Sequence, residues 1–297
     1  MKRVMALLLL LLPLASVQAQ TVLRHPPAEA PGDTRNEYFL SLLSLALEKT
    51  ASDYGEARLV PADQTLSQRR AVAELHAGNT IDVLWTMTSK AREEQLRPVR
   101  IPLLKGLMGY RLLLVRENDL AWFADVHSLA QLRSLQAGQG HDWPDTDILR
   151  HNGIRVQTST DYDSLFTMLR QGRFDFLPRA LNEPFNEVAA RPDMGLAVEP
   201  TLLLYYPAAN YFFVAPDNEK LAQRLETGLR RALADGSFDE LFRSHPINAA
   251  AFSKANILGR RVLRLENPLL PDATPLDDAE LWWPPQSPAA RRQQRSR

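Results

Sequence analysis

Apolar and polar positions along the first third of the chain fall into blocks that switch between a period of two and a period near three and a half. Residues 21–25 form a short strand pattern. A polar, Pro-rich loop follows. Thr34-Arg-Asn-Glu37 then matches a capping box, in which Thr and Glu side chains satisfy the first free amides of a helix. Behind it Phe39, Leu40, Leu42, Leu43, Ala46 and Leu47 recur with helical spacing. Residues 57–61 give a second strand, and residues 65–77 a helix stopped by Gly78. Residues 81–85 are an apolar run with the flanks of a buried strand. Strand and helix in alternation predict a mostly parallel sheet.

After Arg92 the rhythm changes. Residues 99–104 and 110–115 are extended runs around Lys105-Gly106. A second α/β unit follows, with a helix over 128–135, a strand over 137–140 and the loop Gly140-His-Asp-Trp-Pro144. Pro144 suits the first turn of the next helix. Residues 154–157 read as a strand, and Thr160-Asp-Tyr-Asp163 as another capping box. Tyr162, Leu165, Phe166 and Leu169 share one helical face, which Gly172 ends. Residues 174–177 are a short buried strand. Pro178 breaks it, and Arg179 follows at its carboxyl end. Residues 201–214 are strand material interrupted at Pro207. Residues 217–234 are a long amphipathic helix ended by Gly236, and 237–243 a short one. The Pro-rich stretch 266–285 reads as an extended arm, and no internal repeat or low-complexity tract is present.

Composition adds a compartment. Lys2 and Arg3 precede an apolar run from Met5 to Leu14, and Val17-Gln-Ala19 fits a cleavage site. Residues 1–19 are therefore expected to be a signal peptide cleaved after Ala19, delivering the protein to the periplasm. An uncleaved anchor is the alternative, although the run falls short of the ~20 apolar residues of a membrane helix. The 297 residues include no cysteine, so neither a lipid attachment site nor disulfides are available and the core must hold the fold. A chain of this size buries roughly three quarters of its unfolded surface, which suffices, and tends to split in two. With 35 basic and 35 acidic residues the net charge is zero. That excludes bulk attraction to nucleic acid or anionic lipid. Only the terminal Arg-Arg-Gln-Gln-Arg-Ser-Arg is basic, a tail pattern.

Four stretches, in order, resemble a periplasmic solute-binding protein of family 3. "IDVLWTMTSKAREE" (81–94) is similar to that family's strand, Ser/Thr-rich loop and Arg, and "LAQLRSLQAGQG" (129–140) to the opening of its second lobe. "YDSLFTMLRQGRFDFL" (162–177) is similar to its helix-Gly-x-x-Asp-strand unit. The segment 211–245 is similar to its return helix, Asp-Gly stop and short helix. The resemblance covers roughly residues 21–245. It implies an α/β, two-lobed type II clamshell, each lobe a mostly parallel sheet flanked by helices. Lobe one would be 20–108 with a return at 201–260, and lobe two 109–200, with hinge crossings near 106–111 and 197–202. Residues 261–297 would be the arm and basic tail. The resemblance also implies that Arg92 pairs with a ligand carboxylate, which the backbone of Gly140, His141 and Asp142 receives from the other lobe. An Asp normally holds the ligand amine at the position matching Ala180. Its absence here, with Arg179 one residue earlier, argues against an ordinary α-amino acid.

Ligands of open α/β sheets sit outside the carboxyl ends of the strands. Arg92 and Arg179, from opposite lobes, would offer planar donor forks to a carboxylate or phosphate. A buried Arg179 needs either an anionic ligand or an internal carboxylate such as Glu183. Trp85 and Trp143 would stack on a flat ligand part or pack. Thr86 and Thr88 would donate hydroxyls or cap the next helix. Arg35, Tyr38, His141 and Asp142 would contact ligand or satisfy helix starts. The six His are scattered, and no metal spacing, nucleophile elbow, phosphate loop or dinucleotide fingerprint occurs. No cofactor and no catalysis are expected. The expected partners are a small polar, anionic or carboxylate-bearing solute and an inner-membrane transporter, with a sensor role as the alternative. The protein is expected to be a monomer that binds no nucleic acid.

Overall fold

A computed structural model describes residues 20–28 and 34–283. The segment expected to be a signal peptide, residues 1–19, and the basic tail lie outside the described residues. In lobe one, strand Thr21–His25 runs parallel to Ala57–Pro61. A three-stranded sheet has Asn210–Val214 between Leu84–Met87 and Arg97–Val99, antiparallel to both. Helix Arg35–Glu48 supplies the apolar face read from its spacing, with Leu42, Leu43 and Ala46 fully buried. Helix Glu219–Ala234 lies against it: Arg224 donates to Gly55 O at 2.7 Å and to Thr50 Oγ1 at 3.2 Å. The return helix thus packs on lobe one.

Lobe two holds a two-stranded and a five-stranded sheet, linked by one isolated bridge. Gln136–Gly140 pairs in parallel with Arg155–Ser159, and Ala137 bridges to Phe176. Leu177–Ala180 then runs antiparallel to Tyr110–Arg116, which also pairs with Leu196–Val198 and with Leu202–Tyr205. Its core joins Leu113, Val115, Phe123, Ile148 and Phe176. The sheets are mixed rather than mostly parallel, because Tyr110–Arg116 and Asn210–Val214 run back from the hinge against their neighbours.

Several boundaries move. The strand expected at 81–85 is Leu84–Met87. The strand expected at 174–177 is Leu177–Ala180, so Pro178 and Arg179 lie inside it. Proline is tolerated there because its opposite residue, Leu113, gives its carbonyl to Glu199 N–H (2.9 Å), so no ladder donor is required of residue 178. Neither capping box forms as read. Thr34 makes no side-chain cap, and the second cap is Asp161, which accepts from Ser164 N–H at 2.7 Å. Leu202, Leu204 and Tyr206 pack in the core of lobe two, so the second crossing lies at 206–209 rather than 197–202. Residues 261–264, expected in an arm, form a strand parallel to Leu202–Tyr205. Among the described residues no helix is long and apolar enough to cross a membrane.

Candidate functional site

The lobes meet over a cavity of about 130 Å³. Lobe one contributes Arg35 and Asn36 at a helix start, Gln68 at another, and Trp85 and Thr86 from the strand end. Lobe two contributes Arg111, Trp143, Asp145, Arg179 and Glu183. Gly140 and Asp142 line an adjoining interlobe groove.

Arg92 stands directly behind Thr86. It donates to Thr86 Oγ1 (2.8 Å), Met87 O (2.7 Å) and Gln68 Oε1 (2.7 Å), and across the lobes to Asp142 O (3.4 Å). Each of these acceptors is a neutral oxygen. Burial pulls the Arg92 pKa down to about 10, against the pull of the nearby Asp142 and Asp145 charges. The Asp142 carboxylate crosses in the other direction and accepts from Arg69 N–H at 2.8 Å, in the first turn of helix Gln68–His76. The two lobes are therefore held closed by polar contacts of their own.

Arg179 is 2% exposed and does not wait for a ligand. Its Nε and Nη2 donate to Glu187 Oε1 at 2.9 and 2.7 Å, and Nη2 lies 3.0 Å from Glu183 Oε1. Burial alone would lower the Arg179 pKa, but the two carboxylates outweigh it and hold the guanidinium charged. Burial raises the Glu183 pKa against Arg179. Glu187, also buried, is held below the usual carboxylate range by the Arg179 charge and hydrogen bonds. Tyr162 donates to Glu187 Oε1 at 2.7 Å, and its ring lies under the Arg35 guanidinium at 3.9 Å. Of the two partners the sequence left open for Arg179, an anionic ligand or an internal carboxylate such as Glu183, the structure shows the carboxylate, and Glu187, eight residues on, does more of the pairing than Glu183.

A second charged pair lies deeper. Arg111 Nη2 is 2.6 Å from Asp145 Oδ1, which also accepts from the Tyr206 hydroxyl. The Arg111–Asp145 contact is an ion pair without hydrogen-bond alignment, and Arg111 Nε has no partner among the described residues. Asn210 Oδ1, lining the same cavity from lobe one, is likewise unpartnered.

No family model matches the chain, and no curated protein matches it. Solved structures do. An ancestral arginine-binding protein bound to arginine aligns with a TM-score of 0.58 at 16% identity, over 76% of this chain and 98% of that one. A periplasmic binding protein of Salmonella typhimurium with high arginine specificity gives 0.56 at 16% identity, over 74% and 97%. A histidine kinase sensor domain similar to periplasmic binding proteins gives 0.57 at 14%, over 75% and 94%. The fold is that of a periplasmic solute-binding protein.

Within this solute-binding fold, the structure gathers Arg35, Trp85, Thr86, Trp143 and Arg179 around the central cavity and places Gly140 and Asp142 beside it. Besides Arg92, it places three expected residues elsewhere. Tyr38 is fully buried and donates to Leu103 O at 2.7 Å, so it ties the helix to the start of the first crossing. Thr88 donates to Glu93 Oε1 at 2.7 Å. His141 is exposed, its N–H bonded to Ser159 O at 2.8 Å. Gly140 matters sterically: a Cβ there would collide with the Trp143 indole, which stacks on Arg179 at 4.9 Å. Sequence reasoning missed Gln68, Arg111, Asp145, Glu187 and Asn210. Arg111 did leave a signal, a charge inside the apolar run Tyr-Arg-Leu-Leu-Leu-Val.

Proposed function

We propose that this protein captures a small polar solute between its lobes in the periplasm, to which residues 1–19 would export it. Binding rather than catalysis is the reading, and delivery to an inner-membrane transporter is the expected use. The observation that carries it is a pair of groups without partners among the described residues, the Arg111 Nε donor and the Asn210 Oδ1 acceptor, on residues lining one interlobe cavity. The solute would bear an acceptor, such as a carboxylate, for Arg111 and a donor for Asn210 or Glu183. A simple anion fits less well than expected from the sequence. Arg179 is already matched by Glu183 and Glu187, and Arg111 by Asp145, so added negative charge would meet a balanced site. Cavities near 150 Å³ hold about a benzene-sized guest. A cavity of about 130 Å³ therefore suits a compact solute. Arg92 is a poor candidate for a ligand contact, because both Nη nitrogens already donate to Thr86, Met87, Gln68 and, across the lobes, Asp142 O.

A second reading, a soluble sensor reporting solute to a membrane partner, is favoured by the likeness to a histidine kinase sensor domain. Native mass spectrometry of protein purified from the periplasm without denaturation tests the main reading. A retained neutral or zwitterionic molecule, lost in Arg111→Gln, is the expected result. A retained polyanion held equally by Arg111→Gln would overturn the ligand assignment, and failure to retain or bind any small solute would overturn capture itself.

A further inference from the structure

The aligned solute-binding structures account for nearly all of their own chains but about three quarters of this one. The chain beyond residue 245 is where the structure does something those two crossings do not require. Helix Pro246–Lys254 buries Ile247 and Ala251 in the core of lobe one, yet its Asn248 Oδ1 accepts from Asn182 Nδ2 of lobe two at 3.0 Å. The chain then passes to lobe two. Arg260 Nη1 donates to Glu199 O at 2.5 Å and Leu202 O at 2.9 Å, and strand Arg261–Arg264 extends that lobe's sheet. Asn152 pins the exit, accepting from Glu266 N–H at 2.9 Å and donating to Glu266 O at 2.8 Å.

The chain then returns over the hinge. Asn267 Nδ2 donates to Pro207 O, in the second crossing, at 2.8 Å. Leu269 O accepts from Lys90 N–H at 2.9 Å, at the start of a lobe-one helix. At the first crossing, Trp283 N–H donates to Lys105 O at 2.6 Å and Lys105 Nζ to Glu280 O at 2.9 Å. Lys105 and Gly106 are both left-handed there, with φ of 47° and 82°. Trp282 packs so closely on Gly106 that a side chain at 106 would collide with its ring. Two successive positive-φ residues make a sharp local bend, a place where a lobe rotation would be absorbed. Trp282 and Trp283 cover it.

We propose that residues 246–283 form a clasp that ties both lobes and both crossings together and governs how often the cleft opens. It rests on the reading of the cleft as a solute site, because the event it regulates is solute entry and release. Two further passages of chain, anchored at 152, 202, 207 and the first crossing, add covalently linked constraints on the same rotation. Opening then requires the indoles to leave the bend or the strand to shift.

The absence of native cysteine allows clean labelling. Thr65 and Thr160 are exposed and line the same interlobe groove, so spin labels on Thr65→Cys, Thr160→Cys report opening directly. In solute-free full-length protein, the expected distance distribution is one narrow, short peak. Adding Trp282→Ala with Trp283→Ala, or separately the milder Asn267→Ala, should create a second, longer population of at least several-fold greater weight. Release of a bound solute should quicken roughly tenfold in the tryptophan variant. If the variants keep the wild-type melting transition and an unchanged narrow peak, the clasp is refuted. It is also refuted if the wild type is already broadly open. The distance measurement uses no solute, so a protein that opens as expected but binds nothing refutes the solute reading and leaves the clasp standing.

Discussion

Replacing Arg179 by Ala removes the cation in direct contact with both Glu183 and Glu187, and leaves two carboxylates that are 14% and 5% exposed. Breaking a buried pair by deleting one partner costs about 3–5 kcal/mol, because the charge left behind stays desolvated. For a domain of 150–250 residues, about 1 kcal/mol moves the melting temperature by roughly 2–4 °C. Solute-free Arg179→Ala should therefore melt about 6–20 °C below wild type at neutral pH, read by circular dichroism or calorimetry. The deficit should depend on pH in a defined direction. Without Arg179 the two carboxylates keep their burial and their mutual repulsion, so their folded pKa values rise above the ordinary 4.5. Groups raised in the folded state contribute stability below the unfolded pKa and lose it as pH climbs through the folded value. The melting gap between variant and wild type should thus be small near pH 4 and full by pH 8. Adding Glu187→Gln to Arg179→Ala should recover part of the loss, and the coupling in a double-mutant cycle measures the pair. A variant that melts with the wild type yet loses solute binding would refute this pairing and restore Arg179 as a free ligand arginine.

Asp142→Ala removes the lobe-two carboxylate that caps a lobe-one helix. Loss of a cap costs ~1 kcal/mol, so the solute-free open population should rise about fivefold, seen as a larger radius of gyration in X-ray scattering. Tyr38→Phe, which deletes the bond to Leu103 O, should cost ~1 kcal/mol of stability and leave solute affinity unchanged in calorimetric titration. Burial lowers the pKa of His25 and of His245 below 6.5. The unfolded chain then takes up protons first, so stability should fall as pH drops below about 6.5, and His25→Gln with His245→Gln should flatten that limb of a stability-versus-pH curve.

The order of strands and helices was legible because each apolar face is local. The helix at 162–170 buries Leu165, Phe166 and Leu169 of the face its spacing marked, and the return helix buries an apolar face of its own with Leu221, Leu225 and Leu229. Lobe assignment near residue 201 was not legible. Leu202, Leu204, Phe212 and Phe213 are all buried strand residues, and nothing in their spacing tells which of two sheets each run joins. Strand Arg261–Arg264 was hidden for a different reason. It is a four-residue edge, Arg-Val-Leu-Arg, without the alternation that marks a strand, and it is supported by its neighbour at 202–205 rather than by its own pattern.

The site shows the same limit more sharply. Arg179 lines the interlobe cavity, and the sequence named the condition that a buried guanidinium there must be matched. It could not choose the match. Glu183 is the near candidate by spacing, but the first turns of helix Pro184–Ala189 swing Glu187 back over strand Leu177–Ala180, where two of its oxygens face the Arg179 fork. Once Arg179 is consumed in this way, the donor that remains is Arg111 Nε, one strand over and facing Arg179's neighbour Ala180 in register. An arginine in an apolar strand costs heavily unless partnered, and Asp145 provides only part of the partnership. The residual unmatched donor, rather than the more conspicuous strand-end arginine, is therefore the group on which the proposed ligand site rests.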